Sequence, residues 1–164
     1  LIADELDVAL EAGRIACTVV LGETFEFFSS GATCLLGAVL IDRGDAEEGL
    51  ATVERGVSQY TSVGVLTLVP FYLAASCRGH VALGELDAAD EDIEHALRVL
   101  ERSQEVWQVP FIEGSRALLR HAAGAPADEV RGIFAAAHAT AIEQGAHGSA
   151  AWVARRATSV GIEL

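Results

Sequence analysis

The sequence predicts an all-α fold: about eight helices, arranged as antiparallel pairs that stack into a right-handed superhelix. Three observations predict it. Gly44, Gly84 and Gly124 lie forty residues apart, each at the end of an apolar helical pattern where a left-handed cap is expected. Small side chains recur in the same register: Gly37, Cys77 and Ala117 stand seven residues before these glycines, and Gly49 with Ala89, then Gly56 with Ala96, follow the first two. The composition agrees, because 51% of the residues are hydrophobic, only 6% are aromatic and 29 are Ala, so the core must be built from small aliphatic side chains that let helices approach closely. At 164 residues the chain is sized for one domain.

Each helix has its own local reason. The first, over 2–20, shows Leu6, Ala9, Leu10, Gly13, Ala16 and Cys17 in the pattern of the second helix of a unit, so the chain is expected to be a piece of a longer array. The second, 25–42, is closed by Gly44. The third, 46–62, opens on Asp45-Ala46-Glu47-Glu48, whose carboxylates suit the positive end of a helix dipole. Val69-Pro70-Phe71 and Val109-Pro110-Phe111, again forty apart, place proline in the first turn of the helices over 70–83 and 110–123, where its missing N–H costs nothing. Glu85-Leu86-Asp87 opens the helix over 87–103 as Asp45 opens the third. Ala125-Pro126 inserts about one residue, so Val130, Phe134 and Ala137 take the inward places of the helix over 127–144, and a last helix covers 147–160. Two β-branched runs, Ile15 to Leu21 and Val63 to Val69, would pass as short buried strands. A strand inside a forty-residue helical period would leave its neighbours without a packing face, so helix and turn are expected there.

Charge and absences narrow the function. Eleven basic residues against 24 acidic ones give a net charge of −13, which repels phosphate backbones and anionic lipid, so neither nucleic acid nor membrane is expected as a partner. The chain has no Lys, hence no P-loop lysine and no lysine Schiff base. The absence of Lys, Met and Asn beside abundant Ala, Gly and Arg reads as a GC-rich bacterial genome. Cys17, Cys34 and Cys77 are odd in number and widely spaced, which fits buried thiols in a reducing cytoplasm and neither a disulfide framework nor a zinc site.

The stretch Gly79-His80-Val81-Ala82-Leu83-Gly84-Glu85-Leu86-Asp87-Ala88-Ala89, with Ile93 and Ala96 following, resembles a degenerate tetratricopeptide repeat. The wider order, Pro70-Phe71-Tyr72-Leu73, Gly84, Glu105 and Trp107, Arg116-Ala117-Leu118-Leu119, Phe134, Ala137, Ala141, Gln144-Gly145-Ala146 and Arg156-Ala157-Thr158-Ser159, resembles the C-terminal helical-repeat region of large bacterial signalling ATPases. Those proteins carry an adenylate cyclase domain, a LuxR-type helix-turn-helix, or both. The resemblance covers roughly residues 37 to 160 and implies a non-catalytic module for protein interaction or signal sensing, with protein partners or other domains of the same chain.

No catalytic constellation emerges: His80, His95, His121, His138 and His147 never pair at i, i+4, and no nucleophile elbow or glycine-rich phosphate loop is present. The carboxylates Glu85, Asp87, Asp90, Glu91, Asp92 and Glu94 lack the spacing of a calcium loop and suit a solvated helix face. No enzyme activity, cofactor or metal is therefore expected. In the repeat register the first helix of each unit lines an inner face with Gly31, Cys34, Ala38 and Ile41, then Phe71, Ala74, Arg78 and Val81, then Phe111, Gly114, Leu118 and His121. Two readings stay open: core packing within the chain, or a groove for a partner or small-molecule inducer on Phe71, Arg78, Phe111 and His121, with Arg78 pairing an anionic group. Trp107 and Trp152 are read as wedges between helices.

Overall fold

The computed structural model describes residues 6–19, 26–62 and 64–164. Among these residues there are eight α-helices and no strand: α1 (Leu6–Val19), α2 (Glu26–Arg43), α3 (Ala46–Ser62), α4 (Val69–Leu83), α5 (Leu86–Ser103), α6 (Val109–Ala122), α7 (Ala127–Glu143) and α8 (His147–Ser159), with one 3-10 turn at Val106–Gln108 before α6. The bounds of α2 to α8 match the expected ones to within a residue. Ile15 to Val19 belongs to α1, and Gly64 to Leu68 is a turn leading into α4, so among the described residues neither β-branched run forms a strand. The outer parts of the expected first helix, residues 2–5 and 20, lie outside the described residues, as do 21, 25 and 63.

The glycine turns repeat as the spacing requires. Gly44, Gly84 and Gly124 all have positive φ, at 100°, 79° and 78°. The amide after each glycine reaches back five residues: Asp45 N–H to Leu40 O at 3.0 Å, Glu85 N–H to His80 O at 2.9 Å, and Ala125 N–H to Arg120 O at 2.9 Å. This is the 6→1 bond of a Schellman cap, which satisfies carbonyls the helix end would orphan. Two-residue connections leave α2 and α3, and α4 and α5, only an antiparallel return.

Packing follows the pairs. α2 lies on α3, α4 on α5 and α6 on α7, while the first helices α2, α4, α6 and α8 form a continuous row, each touching the next; α1 packs against α2. The small residues sit where the pairs cross. A Cβ on Gly37 would fall 2.6 Å from the Val53 nitrogen, one on Gly49 2.7 Å from the Ile41 nitrogen, and one on Gly56 2.8 Å from the Cys34 nitrogen. The backbones of α2 and α3 therefore touch at three points. In the next unit Cys77, Ala89, Ile93 and Ala96 fill the same places at 2% exposure or less, and in the third Ala117, Val130, Phe134 and Ala137 at 1% or less. From unit to unit the row Gly49, Ala89, Val130 and the row Val53, Ile93, Phe134 grow in bulk, and α2 with α3 has the most extensive contact of any pair.

Two opposite outcomes test this register. Gly56→Ala and Ala96→Leu overpack helix crossings and should each cost about 1–3 kcal/mol of unfolding free energy in urea titrations. Gly132→Ala, where an added Cβ meets nothing within 4 Å and φ is not positive, should instead raise stability by about 0.4–1 kcal/mol.

Candidate functional site

Along the row of first helices the residues Gly31, Phe71, Phe111 and Trp152 stand at spacings of forty, forty and forty-one. The repeat therefore brings the rings of Phe71, Phe111 and Trp152 to one level. Phe71 and Phe111 meet edge to face with centroids 5.0 Å apart, and Phe111 and Trp152 lie 5.1 Å apart. Tyr72 and Tyr60 extend the cluster at 5.8 and 5.7 Å, and the half-exposed Trp107 borders Phe71 and Phe111 at 6.3 and 6.2 Å. Such pairs add about 0.5–1.5 kcal/mol beyond the area they bury. Trp152 fits only because α6 carries glycine opposite it: a Cβ on Gly114 would lie 2.7 Å from the indole Cζ3.

Beside the rings lies a buried ionic group. The Asp42 carboxylate, at the C-terminal end of α2, is 1% exposed; Arg78 of α4, 5% exposed, bonds its Oδ1 through Nε at 3.1 Å. Arg156 of α8, 26% exposed, places Nη2 2.7 Å from Oδ2. Arg78 is held further by Nη1, which donates to the Ala74 carbonyl at 3.0 Å and to the Ser115 hydroxyl of α6 at 3.1 Å. Both guanidiniums lie over the Trp152 ring, 5.2 and 5.3 Å from its centroid. Burial lowers the Arg156 pKa from its ordinary value, with Asp42 opposing the shift. One carboxylate thus ties α2 to α4 and α8, and α6 joins through Ser115.

Two further polar clusters flank this group. Gln108 is fully buried; its Oε1 accepts the Phe71 N–H at 2.8 Å, while Glu105 accepts from the Leu68 N–H at 3.3 Å and from Gln108 Nε2 at 2.5 Å. They supply the N-terminal cap of α4 across the seam between units. At the other end of α4, His80 Nδ1 lies 2.7 Å from Glu85, with Nε2 3.8 Å from Asp92 and 3.9 Å from Glu54. Burial raises the Asp92 pKa above the ordinary carboxylate value, and a hydrogen bond from Ser76 partly offsets it. Burial likewise pushes the Cys34 and Cys77 thiols up to about 12, so both stay protonated and unreactive at neutral pH. Among the described residues no group of three or more His, Cys, Asp or Glu is placed to hold a metal ion, and no helix is long and apolar enough to cross a membrane.

Of the four residues read as a groove, three are buried and the fourth is exposed. Phe71, Arg78 and Phe111 converge, but at 8%, 6% and 2% exposure they pack against one another and against Asp42 and Trp152. His121 is exposed in the last turn of α6, beside the Gly124 cap, where the stripe has run past the packed stretch. Arg78 is not held ready for a ligand anion, because its side chain is buried and its donors go to Asp42, Ala74 and Ser115. Trp152 is a buried wedge as expected, whereas Trp107 remains 43% exposed. Asp42, Ser115 and Gln108 escaped the sequence reading. No family model, curated protein or solved structure matches the chain.

Asp42→Asn would leave two desolvated guanidiniums without a counter-charge and should cost about 3–5 kcal/mol, read by chemical denaturation. Asp92 behaves oppositely. Its folded pKa lies above the ordinary 3.8, so its ionised form opposes folding at neutral pH and the penalty disappears as the pH falls through the raised value toward 3.8. Asp92→Asn should therefore stabilise the chain at pH 7, and the gain should vanish near pH 3.5 or below.

Proposed function

We propose that the chain is a non-catalytic, tetratricopeptide-like module of right-handed superhelical form, which receives a protein partner or a signal within a multidomain bacterial transcriptional regulator or cyclase-type signalling ATPase. The observation that carries this reading is the shared Asp42 carboxylate. Arg78 and Arg156 reach it from α4 and α8, so the first helix of one unit is tied directly to the last helix of the row. A partner that prefers one curvature of the row acts on these ion pairs, and by its differential affinity shifts the balance between two curvatures. That is how a module without chemistry of its own passes a signal to a neighbouring domain. The other reading, an inducer pocket on Phe71, Arg78, Phe111 and His121, draws less support, since Phe71 and Phe111 pack on each other, Arg78 is paired with Asp42, and His121 is exposed.

The test is a regulatory assay in cells, normalised to the amount of folded protein. Arg78→Met keeps most of the side-chain volume and removes the Asp42 pair; in the full regulator it should change the output per folded molecule at least severalfold, in either direction. An unchanged output per folded molecule, with only abundance reduced, removes the proposal and leaves a purely structural array.

A further inference from the structure

Among the described residues the ionic group around Asp42 is not neutral. Two guanidiniums share one carboxylate, and among the described residues Asp42 is the only carboxylate paired with either of them. Among the described residues a surplus positive charge is therefore held by this group, in a chain whose net charge is −13. The two arginines are not equivalent. Arg78 is 5% exposed and its donors go to Asp42, Ala74 and Ser115; Arg156 is 26% exposed, touches Asp42 through Nη2, and lies over the Trp152 ring. Arg156 is thus the outer cation, desolvated enough to attract a counter-ion strongly and open enough for one to reach it.

We propose that Arg156 is the anchor of a binding site for a small oxyanion, a carboxylate or a phosphate monoester, seated on the guanidinium edge turned away from Asp42. A planar guanidinium offers two parallel N–H groups that match a pair of anionic oxygens, and partial burial strengthens that bond relative to water. The bound anion neutralises the surplus charge and competes with Asp42 for Arg156, so it acts on the same ion pairs that join α2 to α8. As the input of a signalling module the site rests on the reading given above; as a binding site it does not.

The Trp152 ring supplies the readout. With Trp107→Phe in the background, Trp152 is the only tryptophan left of the two. Sodium acetate and inorganic phosphate are titrated separately at constant ionic strength, chloride making up the balance. The expected result is a saturable change in Trp152 emission with at least one of them, weakened about tenfold or more by Arg156→Gln and unaffected by Arg120→Gln, which removes an exposed charge paired with Glu129 elsewhere on the surface. Saturation by acetate alone assigns a carboxylate ligand, and by phosphate alone a phosphoryl one. Should Arg156→Gln fail to fold, Arg156→Lys keeps the charge without the fork and should weaken binding severalfold. No saturable change with either anion, an equal change with chloride, or binding undiminished in the Arg156 variant that folds overturns the site. Oxyanion binding together with a silent regulatory assay would leave the site standing and remove the module reading; the reverse pattern would do the opposite.

Discussion

The close approach of α2 and α3 is the constraint on which the remaining units are built. Gly37, Gly49 and Gly56 bring two helix backbones into contact at three points, and any side chain there would force them apart. Once that spacing and the glycine turn at residue 44 are set, α4 has one place to go, against both helices of the pair. The next unit repeats the geometry with Cys77, Ala89 and Ala96, and the third with Ala117, Val130 and Ala137, side chains still small but larger than the glycines of the first. The dispersion energy of such seams is small per atom and large in sum, so the register is fixed by many weak contacts that all need the same spacing.

Much of this was legible because a repeat makes local signals cumulative. One glycine after an apolar run is weak evidence for a helix end; three at forty-residue spacing, with small residues at constant offsets, fix nearly every boundary. The buried group around Asp42 was not legible for the converse reason. Asp42, Arg78 and Arg156 occur once each, at no common spacing, and they meet only because the first helices of different units lie side by side. Gln108 is similar: its neighbour Glu105 and the following Val109-Pro110-Phe111 mark a helix start, yet the amide it caps belongs to α4, thirty-seven residues earlier. His121 shows the limit of periodicity itself. The period gives the phase of a stripe around a helix but not the point along it where the neighbouring helix stops covering it.

Buried ion pairs are costly, since the attraction between the charges barely offsets the water they lose, and well-packed apolar side chains would serve stability as well. The repeat supplies a reason for this one. Units that resemble each other at forty-residue spacing can in principle stack in the wrong order, because the small residues of one seam would accept the helix of another. The charged group breaks that symmetry. The places equivalent to Asp42 hold Ala82, Ala122 and, past the end of α8, Glu163; those equivalent to Arg78 hold Ala38, Leu118 and Ser159; those equivalent to Arg156 hold Leu35, Ala75 and Ser115. If α6 packed where α4 belongs, Asp42 would face Leu118 and stay buried without a cation, at a cost of several kcal/mol. Only the native order gives the carboxylate both guanidiniums and gives Arg78 the Ser115 hydroxyl. The same argument explains why the group spans the row from α2 to α8 and is not confined to one pair: a contact within a pair cannot report whether the pairs are in sequence, whereas one that reaches from the first helix of one unit to the last helix of the row can.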